Sequence, residues 1–349
     1  MKFKKLLAHF GSAKEAWEAE SPRLARLFGD ELSEKFDEFK NEFSVPDYVK
    51  KVKEKGVSFL ILTDKEYPEL LKKIRNPPFA LYVKGQVPVG TWFSQSIAVV
   101  GTRRTTSYGR EVTKILTEEL VANGFIIVSG LAMGVDAISH KTAIENGGKT
   151  IAVLGCGVDC CSPEENLNLY NSIISSNGCI ISEYPLGQIP TKWSFPARNR
   201  IIAGLSMGVL VTEGAEDSGS LITADYARKF GRPVFAVPGP ITSSMSKGPY
   251  KLIQKGAKLV TSAEDILDEL GIRNHELGSI KGRKSIRSIK GGTSEENLIL
   301  EILQNEPLTF DELVRKTGFN SSKTGSILSL MEIKGLVKGL ESGQFSIAS

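Results

Sequence analysis

Histidine is scarce in this chain: three in 349 residues, at His9, His140 and His275. Histidine is the commonest metal ligand and the side chain best placed to move protons near neutral pH, so metal-centred or histidine-driven catalysis has little material here. Cysteine is nearly as sparse, with four residues, Cys156, Cys160, Cys161 and Cys179. Adjacent Cys160 and Cys161 make an awkward pair for a disulfide framework. A tetrahedral zinc site wants separated cysteine pairs or histidines close by, and the spacing offers neither. We therefore expect small buried thiols, no metal and no cofactor, in a reduced cytoplasmic protein. No run approaches 18 apolar residues, so no membrane-spanning helix is expected. The start, Met1-Lys2-Phe3-Lys4-Lys5-Leu6-Leu7, is basic and then apolar, but the apolar stretch ends at His9, too short for the core of a secretory signal. Also missing are a Gly-x-Ser-x-Gly elbow, a His-Glu-x-x-His helix and an Asp-rich metal cluster. Asp136, Glu183 and Glu213 could in principle act as acids or bases. Nothing in their spacing pairs them, and structural roles are expected for all three.

What is present is an ordinary soluble composition, 41% hydrophobic and 24% charged. The length calls for two or three domains. Lysine and arginine number 44 against 40 acidic residues, a net charge of +4. That balance permits a nucleic-acid partner without requiring one, so any binding surface must come from local clustering. Glycine is plentiful at 34 residues, as expected where strands hand over to helices through tight turns.

Four zones follow along the chain. Residues 1–46 carry Leu6, Leu7, Phe10, then Leu24, Leu27, Phe28, then Leu32, Phe36, Phe39 and Phe43, spacings of three and four that suit short amphipathic helices. Val45-Pro46-Asp47 breaks the pattern. Residues 47–271 begin with a short helix over Tyr48–Lys55, a strand over Val57–Leu62, a turn at Asn76-Pro77-Pro78 and a second strand over Ala80–Val83. Apolar, β-rich runs then alternate with helical patterns: strands at Ile97–Val100, Phe125–Val128, Ile151–Leu154, Cys179–Ser182, Val209–Thr212, Val234–Val237 and Lys258–Val260. Helices are expected along the Val112, Ile115, Leu116, Leu120 face and over Val135–Asn146, Asn166–Ser176, Arg198–Leu205, Leu221–Phe230 and Tyr250–Lys255. This alternation predicts an α/β fold with a doubly wound parallel sheet. Residues 272–293, with Arg273, Lys281, Arg283, Lys284, Arg287 and Lys290, read as a flexible basic linker. Residues 294–349 read as a helix over Ser294–Gln304, a second opened by a Thr309/Glu312 capping box, a third over Asn320–Lys334 and a hairpin from Gly335 to Ile347. Three helices and a wing make a C-terminal winged-helix domain.

Five segments carry the chemistry. In Val99-Val100-Gly101-Thr102-Arg103-Arg104-Thr105-Thr106-Ser107 a strand ends at a glycine just before a helix. Free N–H groups at a helix start suit a phosphate. Gly101 permits close approach, Thr102 and Ser107 add hydroxyls, and Arg103 and Arg104 add charge; a capped turn with solvated arginines is the plainer alternative. Ser129-Gly130-Leu131-Ala132-Met133-Gly134-Val135-Asp136 repeats the strand-to-helix turn, with Gly130 open to a ligand and Asp136 expected to cap the helix. Gly155-Cys156-Gly157 follows the next strand. Pro190–Arg200 gathers Lys192, Trp193, Phe195, Arg198, Asn199 and Arg200. Cations neutralise phosphates and aromatic faces stack on unpaired bases, so this mixture points to a single strand more than to a duplex. The alternative there is core aromatics, with the arginines paired to Glu183 or Glu213. Ser218-Gly219-Ser220 opens a further anion-friendly turn after Thr212-Glu213-Gly214. Turns of this kind line the carboxyl edge of a parallel sheet, where such folds bind ligands.

These segments, in this order, resemble the DNA-processing protein A family (DprA, also called Smf) from about residue 57 to 270. The most specific pieces are Gly101-Thr102-Arg103, Ser129–Asp136, Phe195-Pro196-Ala197-Arg198-Asn199-Arg200-Ile201-Ile202-Ala203-Gly204-Leu205, Ser218–Ala224 and Val237-Pro238-Gly239. The resemblance implies an extended Rossmann-like domain that binds single-stranded DNA without sequence preference, a homodimer, and loading of RecA recombinase in natural transformation, with no catalysis. It implies DNA contacts at Arg103, Lys192 and Phe195. Two departures stand out. The family's fuller helical domain, of sterile-alpha-motif type, is expected here only as a truncated segment over residues 1–46. Ser162 stands before Pro163 where a tyrosine is frequent, a change expected to alter packing rather than activity. A second function class, cleavage of nucleoside monophosphates by a related Rossmann-like enzyme using Glu213, remains the alternative. A third would make the tail the main DNA reader, but its last helix offers only Lys323 and Lys334.

Overall fold

The computed structural model describes residues 2–86, 95–272, 292–303, 307–339 and 343–347. The chain divides into two compact units, Met1–Ile280 and Lys281–Ser349. Of the expected basic linker, residues 273–291 lie outside the described residues.

The first unit opens with five helices: α1 (Lys2–Phe10), α2 (Ala13–Glu18), α3 (Ser21–Phe28), α4 (Asp30–Glu42) and α5 (Val45–Glu54). Phe10, Ala16, Ala19 and Leu24 form their small core, with Leu6, Leu27 and Phe36 packed against it. Pro46 does not end a helix here but starts one. It occupies the first turn of α5, where no N–H is needed, and the Ser44 hydroxyl accepts from the Asp47 amide.

A nine-stranded sheet follows: β1 (Val57–Ile61), β2 (Ala80–Gly85), β3 (Ser96–Val100), β4 (Ile126–Ser129), β5 (Thr150–Val153), β6 (Cys179–Ser182), β7 (Val209–Val211), β8 (Val234–Ala236) and β9 (Lys258–Leu259). Its order is β1-β2-β6-β5-β4-β3-β7-β8-β9. From β6 to β9 all neighbours are parallel. The two strands expected in the connector extend this sheet: β2 pairs antiparallel with β6, and β1 antiparallel with β2. The intervening helices are α6 (Glu69–Lys72), α7 (Ser107–Ala122), α8 (Val135–Glu145), α9 (Leu167–Ser175), α10 (Ser194–Leu205), α11 (Ser220–Lys229), α12 (Lys247–Gln254) and α13 (Ala263–Glu269). They cover both faces. In β3, Ala98 and Val100 enter one apolar cluster while Ile97 and Val99 enter another, so a strand without polar alternation is buried on both sides. The chain runs from β3 outward to β6, then returns to place β7 on the other side of β3. The order therefore reverses between β3 and β7, and the crevice above their carboxyl ends is where this architecture accepts ligands.

The second unit comprises α14 (Ser294–Leu303), β10 (Leu308–Thr309), α15 (Phe310–Thr317), α16 (Ser321–Ile333), β11 (Val337–Gly339) and β12 (Gln344–Ile347). Its strands pair antiparallel in the order β10-β12-β11. The Thr309/Glu312 capping box is formed in both directions. Ile299, Leu300, Leu303, Leu313, Leu328 and Met331 close the helices over the wing. The fold is thus α/β, a Rossmann-like sheet followed by a winged helix.

Candidate nucleic-acid interface

The turn after β3 is held by Glu213 from the turn after β7. The Glu213 carbonyl accepts the Thr102 amide at 2.8 Å. Its carboxylate accepts the Thr106 amide at 3.0 Å and the Thr106 hydroxyl at 2.6 Å. Thr106 in turn caps α7 by accepting from the Gly109 amide. Gly109 makes room for this carboxylate: a Cβ there would lie 1.9 Å from Glu213 Oε2. The expected phosphate position at the start of α7 is therefore answered by the chain's own buried acid, whose carboxylate accepts from the half-buried Thr106 donors near the helix start. Arg103, Arg104 and Ser107 remain exposed on this turn, and among the described residues neither arginine has an acidic partner.

The turn after β4 packs against it backbone to backbone. Gly134, at φ +78°, brings α8 so close that a Cβ would lie 2.3 Å from the Thr102 carbonyl oxygen, and the Val135 amide donates to that same carbonyl at 3.1 Å. Asp136 does not cap its own helix as expected. Its carboxylate reaches back to accept the amides of Gly130 at 3.1 Å and Ala132 at 3.4 Å, fixing the turn before the helix. Burial pushes the Asp136 carboxyl pKa up, opposed by the Arg198 charge, the two amides and the Ser129 hydroxyl. Below it, burial and the Arg198 charge push His140 down to about 3. Thr150 Oγ1 donates to the Ile127 carbonyl and so accepts from Nδ1–H of His140 at 2.6 Å, leaving Nε2 without a hydrogen-bond partner among the described residues.

Between these turns and α10 lies a cavity of about 110 Å³. Arg103 and Phe195 stand on its outer side, Gly130, Ala132 and Met133 come from the second turn, Ser162 and Pro163 form another wall, and buried Arg198 lies at its inner end. The Arg103 guanidinium sits 5.7 Å from the Phe195 ring centroid, within cation–π range. Gly155 leaves space for that ring, since a Cβ there would lie 3.2 Å from it. Lys192, three residues before Phe195, is exposed, and its ammonium lies over the Trp193 ring at 5.1 Å with no acidic partner among the described residues.

The other expected site residues are placed differently. Arg198 is committed inward: it donates to the carbonyls of Gly130, at 2.6 Å, and Val153. Gly130 in turn has its N–H given to Asp136 and its carbonyl to Arg198, so neither backbone group is free. Arg200 pairs with Glu183 at 2.5 Å, the alternative the sequence left open. Asn199 donates to the Gly219 carbonyl at 3.3 Å, and the Ser218 and Ser220 hydroxyls bond each other at 2.8 Å; this turn abuts α10 but lines no part of the cavity. Sequence reasoning missed the wall residues Ala132, Met133 and Ser162. Met133, an exposed methionine in a glycine-flanked turn, was the available signal. Ser162, the departure noted in the sequence, lines the cavity wall. Among the described residues no cluster of metal-ligating side chains occurs, and no helix is long and apolar enough to cross a membrane.

Residues 58–271 match the family described as DNA recombination-mediator protein A, and residues 285–343 match the DprA winged helix domain. The chain belongs to this family. The DNA processing protein DprA of Bacillus subtilis is 42% identical over 274 residues, 77% of this chain and 91% of that one. The X-ray structure of DNA processing protein A from Streptococcus pneumoniae is similar with a TM-score of 0.66 and 36% identity, covering 77% of this chain and 92% of that chain. A structure of the Helicobacter pylori family member, described as showing a unique single-stranded DNA binding mode, is similar with a TM-score of 0.54 and 33% identity, over 61% of this chain and 95% of that one. The family's two modules thus coincide with the nine-stranded sheet and the winged helix.

Proposed function

We propose that residues 47–271 bind single-stranded DNA without sequence preference, in the groove bounded by Arg103, Arg104, Lys192 and Phe195. The observation that carries this reading is the Arg103 guanidinium, without an acidic partner among the described residues, lying against Phe195 at the edge of a cavity. A cation there meets a phosphate while the ring offers a face to an unpaired base. Duplex DNA hides its base faces and gains only the first of these. Arg198, Asp136 and Gly130 build the wall rather than touch the strand, and Thr102 and Ser107 present hydroxyls beside the arginines. The single-stranded DNA binding described for the Helicobacter pylori relative supports the same assignment.

In this reading the protein is a recombination mediator, not an enzyme. It works in the cytoplasm as a homodimer, covers strands taken up in natural transformation and passes them to RecA. Glu213, the residue an N-glycosidic cleavage reaction would need, is 3% exposed and bonded to Thr106 through both carboxylate oxygens. The test is a titration of labelled oligo-dT against duplex of equal length at two salt concentrations. We expect tighter binding to oligo-dT and a log–log salt slope that falls by about 0.7 for each phosphate contact removed in Arg103→Ala and Lys192→Ala. Unchanged affinity in both variants overturns the site.

A further inference from the structure

Trp193 stands outside the cavity, at the residue preceding α10, and is 73% exposed. Among the described residues its aromatic or ionic neighbour is the Lys192 ammonium, 5.1 Å from the ring centroid. Ile189, four residues earlier, is 70% exposed. A large ring left in water forgoes much of the gain from burial. Here the ring adjoins the Lys192 ammonium, which has no acidic partner among the described residues, and it lies two residues from Phe195, whose own ring carries Arg103. The same segment thus presents two ring-and-cation pairs, Phe195 with Arg103 on the cavity and Trp193 with Lys192 outside it.

We propose that Trp193 is a second base-stacking subsite, which takes a nucleobase of the same strand next to the one held at Phe195, with Lys192 neutralising the phosphate between them. This rests on the single-strand reading of the Arg103 groove and extends the footprint beyond the cavity. Charge decides between a base and a protein surface as the occupant. A protein face covering Trp193 must also cover the Lys192 ammonium, whereas a nucleotide brings the matching anion.

The experiment uses the full chain with oligo-dT and an abasic strand of the same length. Trp193→Ala should weaken oligo-dT binding on the order of tenfold, the loss of one stacked base. Trp193→Phe should retain most of the affinity. The loss should vanish on the abasic strand, and the salt slope should stay that of the unmodified protein because no charge is removed. Because the ring is exposed, neither variant should shift the thermal midpoint. If Trp193→Ala binds oligo-dT normally while Arg103→Ala is weakened, the second subsite does not exist. If Trp193→Ala instead changes only the mass in solution, the ring belongs to a protein contact and the proposal is overturned. If Arg103→Ala is also unaffected, it is the single-strand site itself that has failed.

Discussion

Arg103 can present its charge only because its turn is tied down at both ends, and Glu213 makes both ties. Its carbonyl holds Thr102 and its carboxylate holds Thr106. Removing the carboxylate in Glu213→Ala leaves the half-buried Thr106 amide and hydroxyl without their acceptor, a cost of about 1–2 kcal/mol, read as a lower thermal midpoint. Because Glu213 acts on DNA through Arg103, its effect on affinity should be absent when Arg103 is already alanine. The double-mutant cycle checks this: strict additivity of Arg103→Ala and Glu213→Ala in oligo-dT binding would show that the two are independent. Glu213→Gln, which keeps an acceptor for the Thr106 amide, should recover most of the affinity. The sequence made Arg103 and Lys192 visible through their charge beside glycine and aromatic residues. It offered the pairing of Arg200 with Glu183 as an alternative but did not reveal that Arg198 is taken up by the carbonyls of Gly130 and Val153, because an arginine's partner is decided by packing between segments far apart in the chain.

The elements that place these side chains are two adjacent strand-to-helix turns fused through Gly134. At φ +78°, and with any Cβ forced to 2.3 Å from the Thr102 carbonyl oxygen, this position has room neither in dihedral space nor in volume for a side chain. Gly134→Ala should therefore destabilise the sheet unit by about 2–3 kcal/mol and weaken oligo-dT binding, since the strain falls on Thr102 and Arg103. Thermal unfolding and titration check it, and a variant with the original midpoint would mean that the turns are not coupled. The strands β3 to β8 were legible because burial on both faces leaves continuous β-branched runs. The helices α7 to α12 were legible through their apolar spacing rather than through caps, since only α7 among them has a side-chain N-cap, and α10 opens at Ser194, four residues before the expected Arg198. The four residues of α6, the seven of α13 and the two of β10 are too short to show a period. The antiparallel pairing of β2 on β6 was hidden for another reason: a strand's partner almost 100 residues away leaves no local mark.

At the scale of the molecule, acid should loosen the sheet unit through His140. Its pKa, about 3 when folded, lies well below the ordinary 6.5. Between those values the unfolded chain binds a proton that the folded one refuses, so stability falls as pH drops below 6.5, by up to about 1.4 kcal/mol per pH unit from this group. Asp136, pushed upward by burial, works in the opposite sense, but its share cancels in a comparison of variants. His140→Asn, which can still donate to Thr150, should flatten the decline in denaturation midpoints between pH 6.5 and 4; an unchanged slope would place the acid sensitivity elsewhere. The division into two units bears on where DNA is held. In the winged-helix unit Lys323 of α16 and Lys334 just after it are already engaged, with Glu295 at 3.3 Å and Glu296 at 2.6 Å. The same helix exposes Leu330 and Ile333, the latter 84% accessible. A helix that enters a major groove needs unpaired cations and polar tips, and this one offers apolar side chains instead. Removing residues 281–349 should accordingly leave oligo-dT affinity within about twofold of the full chain, because every unpaired cation assigned to the strand lies in the first unit. A loss of tenfold or more in the same titration would move the principal DNA contact to the winged helix, and with it the role assigned to Arg103.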